Sequence, residues 1–301
     1  MRATLRLLIL SLILPLSFAR GAAPPPGGLE RVSVTVDGVA RTALVHAPPN
    51  ARSASAPVVF VFHGHGGTAE HAARGFAMHR NWPEAISVYM QGLNTPGILS
   101  DPEGKRSGWQ AGVGHQGDRD LKFFDAMLAR LKRDYKVDDK RIYSTGHSNG
   151  GGFTYLLWHA RGKVLAAVAP SGSTSKYASQ LAPKPALIIG GENDPMVKFE
   201  WQKRTMDIVR KINGCAPAGE SWDKQNKQCT LYPSKAGAPL VTFIYPGGHA
   251  LNPVAPALIM KFFKQHPGDT GKPGEPADKS RPAETNADPK TQMDAKKTDT
   301  K

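Results

Sequence analysis

The chain has 301 residues, of which 40% are hydrophobic and 21% are charged, with a formal net charge of +14. This composition excludes a wholly disordered chain, which lacks the apolar surface needed to offset the entropy lost on folding. Two cysteines exclude a disulfide-dense scaffold and a four-cysteine zinc site. The positive charge favours anionic partners in general, but no nucleic-acid recognition motif accompanies it, so we expect no nucleic-acid role.

The N-terminal segment has the order of features found in a secretory signal peptide. Two arginines precede an apolar run over residues 7–16, and small residues follow at Ser17 and Ala19. Ten apolar residues in a helix span about 15 Å, half of a bilayer core, which is too short for a stable membrane anchor. We therefore predict a signal peptide over residues 1–19, with cleavage after residue 22 as the alternative, and a secreted or periplasmic protein.

Composition divides the remainder of the chain into three segments. Residues 20–28 are a short linker rich in proline and glycine, and residues 29–266 hold nearly all the apolar runs. Residues 267–301 are charged and rich in proline, without an aromatic side chain. The sequence thus predicts one folded domain followed by a disordered tail. It predicts no oligomeric state.

The apolar pattern of the folded segment predicts an α/β architecture. Alternating residues on either side of Asp37-Gly38 indicate a hairpin of strands 31–36 and 39–47. Apolar side chains at three- and four-residue spacing predict a helix over residues 120–135. Buried strands are predicted at residues 57–62, 86–90, 141–144, 164–168, 186–189 and 241–245. Strands alternating with helices indicate a mostly parallel, twisted sheet with helices on both faces.

A candidate nucleophile follows the predicted strand at residues 141–144. Residues 146–150 read Gly-His-Ser-Asn-Gly, the G-x-S-x-G pattern that presents Ser148 on a tight turn between a strand and a helix. The alternative is a glycine-rich turn whose serine caps the helix. Ligands bind beyond the carboxyl ends of strands in such sheets, which favours the first interpretation.

A serine hydroxyl needs a general base and an orienting acid to act as a nucleophile. Asp194 follows the predicted strand 186–189, with Glu192 as a nearby alternative, and His249 follows strand 241–245. Taken singly, Asp194 is consistent with a turn residue and His249 with a loop histidine. The order Ser148, Asp194, His249, each after a strand, is the order expected of a hydrolase triad.

The loop after strand 57–62 is a candidate oxyanion hole. Its sequence is His-Gly-His-Gly-Gly at residues 63–67, and it predicts one backbone N–H donor from His65, with Gly66 as the alternative. The second donor is predicted at Asn149. His63 and His65 also allow a pair of metal ligands, but no further ligand lies at a suitable spacing, so we expect no metal and no cofactor.

These motifs resemble the secreted polyhydroxybutyrate depolymerase and feruloyl esterase group, carbohydrate esterase family 1-like, of the α/β-hydrolase superfamily. The similarity covers residues 31–266. It rests on the serine turn after Arg-Ile-Tyr, on the His-Gly of the upstream loop, on Asp194, and on the Gly-Gly-His that ends at His249. The resemblance implies an α/β-hydrolase fold and hydrolysis of an ester through an acyl-enzyme without a cofactor. The substrates it implies are feruloyl or acetyl esters of plant polysaccharide, or poly(3-hydroxybutyrate)-type esters, in small or polymeric form.

Cys215 and Cys229 resemble a cysteine pair of that family. In an oxidising compartment a disulfide between them would close a small loop and contribute roughly 3 kcal/mol. The alternative is two unpaired buried thiols. The export signal favours the disulfide, which we take as the expectation.

Aromatic residues near the predicted site are candidate substrate contacts. Trp109 lies in a long loop on the active edge, and Trp201 lies between the predicted acid and base. His147, beside the nucleophile, is a third candidate. Each tryptophan has a structural alternative, as an anchor of its loop or in packing against the sheet. Two other functions stay open, a serine peptidase of the same fold and a non-catalytic binding protein.

Overall fold

The computed structural model describes residues 28–268. The predicted signal peptide at residues 1–19, nearly all of the linker and the tail beyond residue 268 lie outside the described residues. Within the described part, no helix is both long enough and apolar enough to cross a membrane.

Strands and helices alternate through most of the described chain. The strands are β1 (Glu30–Val36), β2 (Val39–His46), β3 (Ala56–Phe62), β4 (Ile86–Met90), β5 (Leu93–Asn94), β6 (Ser107–Gly108), β7 (Val137–His147), β8 (Ala167–Ser171), β9 (Ala186–Gly191), β10 (Glu220–Ser221), β11 (Cys229–Tyr232) and β12 (Leu240–Tyr245). The α-helices are α1 (Ala69–Phe76), α2 (Met78–Asn81), α3 (Arg119–Asp134), α4 (Asn149–Arg161), α5 (Phe199–Ile212) and α6 (Ala255–Gln265).

Ten of these strands form one sheet in the order β1-β2-β4-β3-β7-β8-β9-β12-β11-β10, and β5 pairs with β6 separately. The six strands from β4 to β12 in this order are parallel, whereas the outer strands at both edges pair antiparallel. The carboxyl ends of β3, β7, β9 and β12 therefore lie along one edge of the sheet, where the predicted site residues follow them. The predicted α/β-hydrolase fold is confirmed.

The N-terminal hairpin is confirmed, with Val36 paired to Val39. Asp37 and Gly38 have φ of 48° and 79°. Positive φ at both central residues is the geometry of the type I′ turn, which matches the twist of paired strands.

One predicted strand is displaced. Residues 162–164 form a 3₁₀ turn, and the strand predicted at residues 164–168 is β8, which runs from Ala167 to Ser171. Val164 and Leu165 are apolar because they pack into the core beneath the end of α4. The apolar run therefore marks a buried turn as well as the beginning of the strand.

Two hydrophobic cores cover the two faces of the sheet. Alternate residues of β3 point to opposite faces, and all seven are buried, as expected of a central parallel strand. Helices α3, α4 and α5 cover one face, and α1, α2 and α6 cover the other.

The predicted disulfide is wrong, because in the described chain Cys215 and Cys229 are free thiols. Cys215 packs against the core beneath α5, and Cys229 belongs to the core on the opposite face. Burial raises the pKa of both thiols, that of Cys229 to about 11. Because the two cysteines pack in cores on opposite faces of the sheet, their side chains do not face each other as a disulfide requires.

A buried ion pair joins the hairpin to α3. The Arg41 guanidinium donates to Asp120 Oδ1 at 2.7 Å, and the two side chains are 1% and 0% exposed. The guanidinium also lies 4.3 Å from the centre of the Phe123 ring. Asp120 Oδ2 accepts the backbone N–H of Gln110. The pair thus fixes the loop that leads to the active edge.

Replacing the buried carboxylate tests how much this pair stabilises the fold. We expect Asp120→Ala to lower the free energy of unfolding by about 3–5 kcal/mol, because it leaves a buried guanidinium without a counter-charge. Urea unfolding measures the change.

Lys122→Ala is the matched control on the same helix. Lys122 pairs with Asp37 at the surface, and both side chains are about half exposed, so we expect a change within about 0.5 kcal/mol. Equal losses in the two variants would contradict the importance assigned to the buried pair.

Candidate active site

Ser148 lies between the end of β7 and the beginning of α4. Its backbone has φ of 56° and ψ of −122°, a strained conformation for a residue with a side chain. The Ser148 N–H donates to the Ser171 carbonyl of β8 at 2.9 Å. The turn is therefore held by the neighbouring strand, as a nucleophile turn requires.

The two glycines of the motif are required by close packing. A Cβ on Gly146 would lie 2.5 Å from the Gly150 backbone. A Cβ on Gly150 would lie 2.2 Å from the Phe62 carbonyl oxygen at the end of β3. Neither position has space for a side chain, so the turn forms only with glycine at both.

Two hydrogen-bond contacts, both made by His249, join the three residues predicted as a triad. His249 Nε2 is 2.7 Å from Ser148 Oγ, and His249 Nδ1 is 2.7 Å from Asp194 Oδ2. If Nδ1 carries the proton toward the carboxylate, Nε2 is free to accept the serine proton. This geometry suits proton transfer from the serine as it attacks an acyl carbon.

Asp194 is held as a buried anion. Its Oδ1 accepts the backbone N–H groups of Met196 and Val197 at 2.9 and 2.8 Å. Burial alone would raise the pKa of Asp194, but the hydrogen bonds from His249 and from these amides outweigh it, so the pKa is lowered. Glu192, the alternative acid, is exposed, and its hydrogen bond is a backbone one to Tyr245.

The Asp194 carboxylate has a further partner that no sequence pattern indicates. Gln202 of α5 is fully buried and donates Nε2 to Asp194 Oδ2 at 3.1 Å and to the Val197 carbonyl at 2.6 Å. A glutamine within an amphipathic helix carries no local signal of this role. Only the packing of α5 against the loop after β9 brings it to the carboxylate.

The hydrogen bonds of the oxyanion loop favour the His65 N–H over the Gly66 N–H as the oxyanion donor. The Gly66 N–H is already used, since it donates to the Ser107 carbonyl at 2.7 Å. Within residues 28–268, neither the His65 N–H nor the Asn149 N–H has a hydrogen-bond acceptor. Both residues line the same pocket as Ser148. Two unengaged amides beside a nucleophile are the arrangement that binds a developing oxyanion.

His63 makes hydrogen bonds to the backbone with both ring nitrogens. Nδ1 donates to the Gly64 carbonyl at 2.8 Å, and Nε2 accepts the Gly92 N–H at 3.0 Å. Burial lowers the pKa of His63 to about 4. The imidazole is thus neutral and has no lone pair directed at a metal.

Trp109 does not contact substrate space, which corrects the prediction that it stacks on a ligand. The side chain is 0% exposed, and its indole N–H donates to the His63 carbonyl at 2.8 Å. Its ring stacks on Phe153 and meets the edge of Phe62. The Trp109 backbone N–H donates to Asn149 Oδ1 at 2.7 Å. The residue therefore anchors its loop to the beginning of α4.

His147 faces the catalytic loop and not the pocket, which corrects its assignment as a substrate contact. Its Nε2 donates to the backbone carbonyl of His249 at 2.7 Å, and its Nδ1 lies 3.1 Å from Ser171 Oγ. Burial lowers the pKa of His147 to about 4, so the ring is neutral. Its contact supports the His249 backbone.

A pocket of about 330 Å³ opens above Ser148. Trp201 lies at its edge with 49% of its surface exposed, where the sequence predicted a substrate contact. The apolar walls are formed by Ile98, Leu99, Phe153, Leu156 and Val197. Two other surface clefts, of about 430 and 380 Å³, do not touch Ser148. The pocket of about 330 Å³ is therefore the one that places an acyl group beside Ser148.

Substitution of a glycine in the nucleophile turn tests the packing argument. We expect Gly150→Ala to lower the free energy of unfolding by at least about 3 kcal/mol, because the added methyl group overlaps the Phe62 carbonyl. Gly152→Ala is the control in the same helical turn, since a Cβ there meets no atom within 4 Å. Thermal and urea unfolding should show the control unchanged or more stable, and equal losses would contradict the steric account.

The neutral His63 predicts a pH dependence of stability. Its pKa is lowered on folding, so between pH 6.5 and about 4 the unfolded chain binds a proton that the folded chain does not. Stability therefore falls as the pH falls through this window, by about 2–3 kcal/mol from this residue at pH 4.5. Urea unfolding from pH 7 to pH 4.5 should show a shallower dependence in His63→Asn. The exposed His115→Asn variant should keep the wild-type slope, and identical slopes in all three proteins would contradict the assignment.

Comparison with known proteins places these features in a family. A protein named probable feruloyl esterase C, from Aspergillus clavatus, is 28% identical over 216 residues, which cover 68% of this chain and 76% of that protein. A bifunctional acetylxylan esterase/xylanase from Neocallimastix patriciarum is 26% identical over 39% of this chain and 18% of that protein.

Among solved structures, an acetyl xylan esterase from Aspergillus awamori is similar with a TM-score of 0.60 at 14% identity, over 79% of this chain and 99% of that one. At this identity the similarity concerns the fold alone. The family model described as dienelactone hydrolase matches residues 42–214, more than half of the chain, and includes Ser148 and Asp194. The protein belongs to the dienelactone hydrolase family.

Proposed function

We propose that this protein is a serine esterase that hydrolyses carboxylic esters through Ser148, His249 and Asp194. The observation that carries the proposal is the pair of 2.7 Å contacts that join the three side chains at the base of the pocket. The names of the similar proteins, feruloyl esterase and acetylxylan esterase, support an ester substrate.

In acylation, Ser148 Oγ attacks the ester carbonyl carbon while His249 Nε2 takes the serine proton. The carbonyl oxygen becomes an oxyanion that accepts hydrogen bonds from the backbone N–H groups of His65 and Asn149. His249 then gives the proton to the leaving alkoxide, and the alcohol departs. Asp194 stabilises the imidazolium that forms and keeps Nδ1 protonated. Water, activated by His249 in the same way, hydrolyses the acyl-enzyme.

The pocket supports an acyl group with an apolar or aromatic body. Ile98, Leu99 and Trp201 give its mouth an exposed apolar rim, and an indole face suits stacking on a phenolic ring. This rim supports feruloyl esters of plant polysaccharide as substrates, and the name of the acetylxylan esterase relative supports acetyl esters as well. Hydroxybutyrate esters, which the sequence resemblance also implies, are the alternative.

Export is part of this proposal. The features of residues 1–19 support a signal peptide, and residues 29–266 are proposed as the catalytic domain. N-terminal sequencing of the protein recovered from the periplasm or the medium would locate the cleavage site.

The direct test compares wild type with Ser148→Ala on p-nitrophenyl acetate, methyl ferulate and a hydroxybutyrate oligomer. We expect kcat of the variant to fall by at least about 10⁴-fold, because the nucleophile is lost while binding remains. The exposed Ser179→Ala serves as the matched control and should keep full activity. The preferred ester identifies the substrate class.

A fluorophosphonate probe separates the remaining alternatives. It should label wild type and fail to label Ser148→Ala. Labelling without turnover of any ester would favour a peptidase, tested with peptide substrates. Absence of both labelling and turnover would favour a binding protein and overturn the esterase proposal.

A further inference from the structure

The His65 side chain is enclosed by the loop that runs from Gly97 to Gly108. A Cβ on Gly97 would lie 2.8 Å from His65 Cε1, and a Cβ on Gly108 would lie 2.6 Å from His65 Nδ1. The imidazole is therefore packed between two glycines of this loop, and each position admits only a hydrogen. The fit connects the oxyanion loop to a segment more than thirty residues away in sequence.

Asp101 holds the outer end of the imidazole. Its Oδ2 lies 3.0 Å from His65 Nε2 and accepts the Arg106 N–H at 2.8 Å, while Oδ1 accepts the Lys105 N–H at 3.1 Å. Gly97 and Asp101 exchange both backbone hydrogen bonds, at 2.8 and 2.9 Å. One carboxylate, 9% exposed, thus fixes the fold of this loop and its contact with His65.

The charge of Asp101 suits this role. Desolvation would raise its pKa, but the hydrogen bonds from His65, Lys105 and Arg106 outweigh it and lower the pKa. The lowered pKa favours the ionised carboxylate, which accepts the Nε2–H of His65.

The loop also forms the mouth of the pocket. Ile98 and Leu99, at its tip, are 88% and 58% exposed and line the pocket together with Ser148 and His65. A substrate group that enters the pocket therefore meets a loop whose position is coupled, through one imidazole, to the amide beside the nucleophile.

We propose that Asp101 is a positioning residue for ester hydrolysis, acting through the His65 imidazole to hold the His65 backbone N–H where the oxyanion forms. This inference rests on the proposed function. His65 Nδ1 has no partner among the described residues, so Asp101 supplies the polar contact that fixes the ring. A donor that serves only the developing oxyanion acts on the transition state, and its displacement lowers kcat with little change in KM.

The experiment measures kcat and KM for p-nitrophenyl acetate in Asp101→Ala, Asp101→Asn and His65→Ala. We expect Asp101→Ala and His65→Ala to lower kcat by about 10- to 100-fold, because the donor is displaced but not removed, with KM changed less than about 3-fold. Asp101→Asn should recover most of the loss, since its amide oxygen still accepts the Nε2–H. The double variant should be no slower than the slower single one.

Glu103→Ala is the matched control, because this carboxylate lies on the same loop, is 67% exposed and pairs with Lys105 at the surface. It should keep wild-type kcat. Thermal unfolding of each variant shows whether a lower kcat results from unfolding of the protein. His65→Ala removes the same contact from the other side, so the test does not depend on Asp101→Ala remaining folded.

Three results would overturn the inference. They are kcat values within about 2-fold of wild type in folded Asp101→Ala or His65→Ala, losses that multiply in the double variant, and a rise in KM at constant kcat. The fate of the proposed function is read separately. If Ser148→Ala keeps its activity, the esterase proposal fails. If Ser148→Ala is inactive and Asp101→Ala is fully active, only the role proposed for Asp101 is contradicted.

Discussion

The close approach of the nucleophile turn to the end of β3 is the constraint on which the site depends. Gly150 lies so near the Phe62 carbonyl that no side chain fits between them, and this contact sets the beginning of α4 beside the loop that follows β3. Because of it, the amides of Asn149 and His65 face the same pocket. The contact also supports the strained backbone of Ser148, which has little intrinsic preference for its conformation.

Two buried groups beside His249 differ in charge. Asp194 is buried and anionic because amides and His249 donate to it. His147, whose ring centre is 5.1 Å from that of His249, is buried and neutral. An imidazolium formed on His249 during acyl transfer would therefore have one anion in contact and no positive charge on the adjacent histidine. The pKa is lowered in both groups, which leaves Asp194 charged and His147 neutral, and both charge states favour proton transfer to His249.

Sequence patterns predicted most of the fold because solid apolar runs bounded by turns mark buried strands. The displaced β8 shows where this fails, since Val164 is apolar for packing at a turn. The approach of Ser148, Asp194 and His249 to one another could be predicted, because each follows a strand that ends at the same edge of the sheet. The direction of the Trp109 side chain could not, because it depends on aromatic packing between distant segments.

The positions of the two cysteines have a consequence for how the protein folds. Cys215 and Cys229 pack on opposite faces of the sheet, so folding of the domain does not bring them together as a disulfide. Folding is then indifferent to the thiol–disulfide potential of the surroundings. A domain of this kind needs neither an oxidant nor a disulfide isomerase to fold.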